Sequence, residues 1–247
     1  EAEVDVPAPY VGQQVVYTQR LFFRELAGGR LEPLEVPGAT LRRLGEDSRR
    51  RAERDGRRYQ VLERRYALFP TEPGPLTLPA PEFRGQVPED GGGPRRPLGG
   101  ISPFDPMLQA TRPVRRQGEP LTLQVRPRPD NRQGPWLPAR QVSLQEAWSL
   151  DGDTVTAGEP VTRSLTLVAR GQDGPGLPDL PEPTRTGFRV YPDTPRTDTV
   201  VRDGALVGRR MESYALVARE PGTVTVPGVT VRWWDTGADR ARVAGFE

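Results

Sequence analysis

The sequence predicts an all-β chain built as two tandem β-sandwiches, and three observations carry that prediction. The first is an internal repeat. Tyr66-Ala67-Leu68-Phe69-Pro70-Thr71-Glu72-Pro73-Gly74-Pro75-Leu76-Thr77-Leu78-Pro79 reads, 148 positions on, as Tyr214-Ala215-Leu216-Val217-Ala218-Arg219-Glu220-Pro221-Gly222-Thr223-Val224-Thr225-Val226-Pro227. Turn residues and apolar residues stay in step, so one supersecondary unit is used twice. The second is strict alternation after each Pro-Gly: Leu76 and Leu78, or Val224 and Val226, point one way and the threonines the other, the period of a half-buried strand. The third is punctuation. Pro 29 and Gly 27 recur throughout the 247 residues, and short strands between such turns are the pattern of immunoglobulin-like sandwiches.

The elements follow in chain order. Val11-Gly12-Gln13-Gln14-Val15 matches Ala157-Gly158-Glu159-Pro160-Val161, and each opens an alternating strand. Glu46 to Asp55 is nearly all charged and has no apolar stripe. Within residues 39–58 it is the best helical candidate, short and exposed, ended by Asp55-Gly56 as a turn. The repeat itself reads as a hairpin, with Glu72-Pro73-Gly74 and Glu220-Pro221-Gly222 as type II turns. Arg64 and Glu212 share a face with Tyr66 and Tyr214, which predicts water-accessible positions near the end of each sandwich.

Residues 84–112 form a Gly/Pro-rich insert, with Asp90-Gly91-Gly92-Gly93-Pro94 and Pro97-Leu98-Gly99-Gly100. It is expected to be a loop whose Ile101, Phe104, Met107 and Leu108 pack locally or meet a partner. Alternation resumes through Leu121, Leu123 and Val125, and Pro127-Arg128-Pro129 is a stiff linker. The predicted modules are therefore 1–127 and 128–247, sharing a modest interface.

Composition excludes much chemistry. The chain has no His and no Cys, and all 35 basic residues are Arg. No Ser-His-Asp triad, Cys-His dyad or Schiff-base lysine can be assembled. Zinc would need an all-carboxylate site, and neither GxGxxG nor GxxxxGK[ST] occurs. No catalytic, cofactor-binding or metal-binding residue is therefore assigned, and the chain is not read as an enzyme. A net charge of +2, with Arg and acidic residues interspersed, gives no basic stripe for nucleic acid. No apolar run is long enough to span a membrane. Glu1 in place of Met reads as an excised or processed segment of something longer.

Glu46-Asp47 is more often a pair of surface charges than a catalytic pair. Asp151-Gly152-Asp153 lacks the later acidic positions of an EF-hand. Trp233 and Trp234 are adjacent strand residues facing opposite ways, one for the core and one for the surface.

In combination, Tyr10 to Thr18, Leu44-Gly45-Glu46-Asp47, Arg58 to Pro70 and Trp233-Trp234-Asp235-Thr236 resemble BatD, the bacterial oxygen-tolerance family. The resemblance covers nearly the whole chain except residues 88–112. It implies tandem immunoglobulin-like domains in the periplasm, anchored to the inner membrane by a transmembrane helix outside this sequence. It also implies partners with von Willebrand A domains and no redox chemistry. Such domains hold a divalent ion with an open coordination position, and hard cations favour oxygen ligands. Glu46 and Asp47, with Glu89, Asp90, Asp151 and Asp153 as other loop carboxylates, are candidates to complete a partner-held magnesium ion, Asp47 first. Trp233, Trp234 and Asp235 are the alternative protein-binding patch. A carbohydrate-binding module for envelope glycans, using exposed aromatics, is the competing reading.

Overall fold

The computed structural model describes residues 1–88, 111–129, 134–150, 152, 154–183 and 186–246. Among them there is no helix. The N-terminal half contains β1 (Ala2–Val4), β2 (Val15–Phe23), β3 (Gly28–Leu31), β4 (Ala39–Arg43), β5 (Ser48–Arg54), β6 (Arg57–Pro70), β7 (Gly74–Leu78), β8 (Glu82–Pro88), β9 (Thr111–Gln117) and β10 (Leu121–Val125). The C-terminal half contains β11 (Pro138–Ala139), β12 (Gln141–Trp148), β13 (Pro160–Arg170), β14 (Phe188–Pro192), β15 (Arg196–Arg202), β16 (Ala205–Ala218), β17 (Val229–Asp235) and β18 (Arg240–Phe246). No sheet mixes strands from the two halves.

The larger sheet of each half has the same plan. One runs β1-β2-β6-β4 with β5 also on β6; the other runs β12-β13-β16-β14 with β15 also on β16. The repeat extends to register. Val15 faces Leu68 as Val161 faces Leu216, and Ala39 faces Pro70 as Phe188 faces Ala218. Each larger sheet closes on a smaller one over its own core. Val15, Tyr17, Tyr66, Leu68, Leu78, Leu123 and Val125 fill the first; Val161, Leu165, Leu167, Leu216, Val229, Val231 and Trp233 fill the second. Two sheets over an apolar layer are the arrangement of a β-sandwich.

Three sequence expectations are corrected. Residues 39–58 are not helical: β4 and β5 occupy them, and β5 pairs antiparallel with β6. Asp55 (φ 51°) and Gly56 (φ 69°) make the hairpin turn, and Asp203 (φ 48°) and Gly204 (φ 73°) repeat it. Two successive positive φ values match the right-handed twist of a two-residue hairpin. Strand β5 escapes the alternation rule because both its faces are largely exposed.

The Glu-Pro-Gly unit is not a hairpin. Strand β6 already carries β2 along one edge and β4 and β5 along the other, so β7 cannot pair with it. The turn instead carries the chain to the opposite sheet, where β7 pairs with β10. In the C-terminal half, no strand at all is paired with residues 222–226.

The third correction concerns the insert. Its described flanks are strands: β8 and β9 are in register from Glu82–Gln117 to Pro88–Thr111. Residues 89–110, with Glu89, Asp90 and the apolar group, lie outside the described residues.

Candidate functional site: the aromatic joint between the halves

Where the halves meet, three rings converge. Tyr10 stands edge-on to Trp136 at 5.9 Å and to Trp234 at 5.7 Å, and the two indoles are 6.2 Å apart. Each comes from a different kind of segment. Tyr10 precedes β2, Trp136 belongs to the linker, and Trp234 is the outward-facing residue of β17. Offset and edge-on packing suits the ring quadrupoles.

Asp239 ties the rings together. It is held at positive φ in the β17–β18 turn. Its Oδ1 accepts from the Tyr10 hydroxyl at 2.8 Å and from Trp234 Nε1 at 3.2 Å, and Oδ2 meets Arg126 at 3.2 Å. The Arg126 guanidinium lies 3.9 Å from the Tyr10 ring centre, a cation–π contact. The Tyr10 hydrogen bond, chief among these partners, holds the Asp239 carboxyl below its ordinary pKa. Removal from water, then the bond to Asp239, raises that of Tyr10.

Beside the rings, the joint is bonded through the backbone. Trp136 Nε1 donates to Val11 O at 2.7 Å, and Gln172 Nε2 donates to both Gly12 O and Pro138 O. Buried Gln14 accepts from the Leu206 amide at 2.9 Å. Leu44, Ala67 and Leu206 form a small core of their own across the halves. The joint is thus more extensive than the modest interface expected, and it opposes the free relative motion a bare proline linker would allow.

The sequence-derived site residues fall in two separate places. Glu46 and Asp47 lie in the β4–β5 connection of the N-terminal half, Glu46 exposed. Asp47 is occupied: Arg64 grips it through two bonds of 2.8 Å, and Arg43 approaches at 2.7 Å. The Arg64 bonds come first among the causes that lower its pKa. Trp233 is buried in the C-terminal core, and Trp234 belongs to the joint. Asp235 Oδ1 accepts the Gly237 and Ala238 amides at 3.0 Å each, and Oδ2 meets Arg242 Nε at 2.7 Å. It shapes the turn that places Asp239. Asp151 and Asp153 lie outside the described residues. Sequence reasoning missed Tyr10, Arg126, Trp136 and Asp239. The one available signal was Trp136, a large aromatic in a Gly-Pro linker.

A shallow cavity of about 210 Å³ lies beside the joint, lined by Trp136, Leu137, Arg232, Trp233, Trp234 and Val243. A larger one, about 690 Å³, opens at the end of the C-terminal sandwich between Gly152–Ala157 and Glu220–Val226. Its floor holds Arg163, 1% exposed, which donates to Glu146 at 2.6 Å and to Pro227 O at 2.9 Å and lies over the Trp148 and Phe246 rings. Among the described residues, no group of three His, Cys, Asp or Glu could hold a metal ion, and no helix is long and apolar enough to cross a membrane.

Comparison with known proteins gives one family. The model described as BatD DUF11 like domain matches residues 148–243, which supports a BatD-family assignment. No curated protein matches, and no solved structure matches.

Proposed function

We propose that this BatD-type chain is a non-enzymatic interaction module of a Bat-type aerotolerance membrane complex. It comprises two tandem immunoglobulin-like sandwiches, 1–127 and 128–247, held in the periplasm by an inner-membrane anchor. It docks Bat proteins with von Willebrand A domains. The family match over residues 148–243 carries this reading. That domain type is membrane-associated and periplasmic and is not a known enzymatic family. The bonded joint fits a scaffold, because a fixed angle between modules presents distant surfaces together.

Within this reading, the contact to a partner-held magnesium ion falls to Glu46 rather than Asp47, whose oxygens already meet Arg64 and Arg43. The Trp234 and Asp235 end of the C-terminal half is the second docking surface. Pull-down of a partner A-domain is expected to require magnesium and to be lost in Glu46→Ala, with folding retained. Binding that is indifferent to both magnesium and Glu46 removes the metal-mediated contact, and no co-purification of any A-domain protein from membranes removes the docking role.

The second reading, a carbohydrate-binding module for envelope glycans, draws on the Trp136 and Trp234 walls of the 210 Å³ cavity. Retention on immobilised peptidoglycan that is lost in Trp234→Ala would favour it.

A further inference from the structure

The 690 Å³ cavity has a counterpart in the N-terminal half, and there it is full. Strand β10 occupies it. On one side β10 pairs antiparallel with β7, Leu121 facing Leu78 and Val125 facing Gly74. On the other it meets the segment before β2, where Gln124 N donates to Pro7 O at 2.9 Å and Arg126 N to Pro9 O at 2.7 Å. Leu123 and Val125 are thereby buried in the core.

In the C-terminal half both walls of that slot are present. Residues 222–226 repeat β7, and Thr154–Ala157 stand where the segment after Pro7 stands, by the correspondence of Val11–Val15 with Ala157–Val161. Both walls line the cavity. Val224 and Val226 are only half-buried, whereas Leu78, at the position of Val226, is fully buried. Among the described residues no strand lies between the walls.

The direction of filling is also fixed. Strands β8 and β9 continue the β7–β10 ladder in unbroken register: Leu78 faces Leu121, Gly118 N donates to Pro81 O, and Glu82 faces Gln117. The β17–β18 ladder runs toward residues 222–226 in the same way, with Val229 facing Phe246, and Phe246 lines the slot.

We propose that this slot is a strand-acceptor site. Its occupant is an extended segment joined in line to β18, apolar at alternate positions, antiparallel to residues 222–226 and parallel to Thr154–Ala157. Strand addition supplies backbone hydrogen bonds to an edge that otherwise has none, and pockets for alternate side chains supply selectivity. An edge left open in this way is a template for pairing with other chains. A strand from a separate protein would have to begin where β18 leaves, so the in-line segment is the committed source. The proposal is independent of any von Willebrand A partner.

The test extends the chain past Glu247 with a copy of its own Pro120–Arg126, which in ladder register sets the two leucines opposite Val226 and Val224. Hydrogen exchange at residues 223–226 is expected to slow by about 100-fold or more, as for a core strand rather than a frayed edge. The same extension with both leucines replaced by Asp should give no protection. A free peptide of residues 119–127 should protect only weakly at millimolar concentration. Unchanged exchange in the extended chain overturns the acceptor site. Tight saturation by the free peptide while the tethered copy stays unprotected overturns the in-line source and assigns the slot to a separate partner.

Discussion

At one position of the repeat the two halves carry opposite charges and use them for the same task. Arg64 in β6 corresponds to Glu212 in β16. Arg64 donates to the Leu31 carbonyl at 2.9 Å, and Glu212 accepts from the Leu180 amide at 3.1 Å. Both grip the backbone of the segment that crosses toward the smaller sheet. Each charge is then balanced locally, Arg64 by Asp47, Glu212 by Arg210 at 2.6 Å and the Tyr214 hydroxyl at 2.7 Å. The expectation that both charges would reach water is corrected here. Glu212 is 5% exposed and the Arg64 side chain 13%. The position requires a polar hand on a crossing strand, and either sign serves if a counter-charge comes with it.

The largest break in this symmetry comes from removing the more buried hand. Glu212→Leu leaves Arg210 without its nearest partner and strips the Leu180 amide and Tyr214 hydroxyl of theirs. Loss of one member of a buried charge pair costs about 3–5 kcal/mol. Arg64→Leu should cost less, roughly 1.5–3 kcal/mol, the worth of hydrogen bonds to charged groups. Urea unfolding of both variants measures the difference, and equal costs would mean that burial does not distinguish the two sites.

Acid should strike both halves. Burial pushes Glu212 up, but the bonds from Tyr214, Arg210 and Leu180 together outweigh it and leave the group below its ordinary 4.5. Asp47 lies below its ordinary 3.8. A lowered folded pKa gives stability that is complete above the unfolded value and lost as pH falls through the folded one. Melting temperature should therefore hold from neutrality to about pH 5 and then fall, and the fall should be shallower in Glu212→Gln. An unchanged slope in that variant would remove Glu212 from the account.

These pairs were half legible. The sequence repeat yielded the register of both larger sheets, because apolar spacing and turn residues are local and moved together. It placed Arg64 and Glu212 on the core face. It could not show that Asp47 or the Leu180 amide would meet them there, since those partners arrive by tertiary crossing. The helix expected near residue 50 failed for a related reason. Arg49, Arg50 and Arg51 line an exposed strand, so no core demanded alternation. The Asp55-Gly56 dipeptide and its twin Asp203-Gly204 were the better signal, since paired Asp-Gly turns imply hairpins. At the joint, Trp234 was visible as an exposed aromatic, whereas Tyr10 and Asp239, 229 positions apart, meet only in the fold.

The joint offers a break of intermediate size. Leu206 belongs to the small cluster that joins the halves, with its amide bonded to Gln14. Leu206→Ala should cost roughly 2–3 kcal/mol, the low end for a buried leucine, because few residues surround it. If the halves unfold as one unit, the variant shifts a single transition. Separation into two transitions would show that this contact couples them.

The smallest expected effect sharpens the comparison most finely. Gly56 and Gly204 hold the same turn position with φ of 69° and 73°. Alanine at either must adopt the left-handed region, which costs about 1–2 kcal/mol. Their surroundings differ. A Cβ at Gly56 would meet nothing within 4 Å, whereas one at Gly204 would lie 2.9 Å from Arg65 Nη1 of the other half. The contacting atom is the far end of a flexible side chain, half exposed and bonded only loosely to Glu63 at 3.8 Å. It can swing aside, so Gly204→Ala should match Gly56→Ala within about 0.5 kcal/mol, the spread typical of surface changes. Thermal unfolding of the two variants and of Gly204→Ala combined with Arg65→Ala decides it. An excess cost at Gly204 that the Arg65→Ala change relieves would mean that Arg65 is held in place, and that the two hairpins, alike in sequence and turn, differ because one of them is part of the joint.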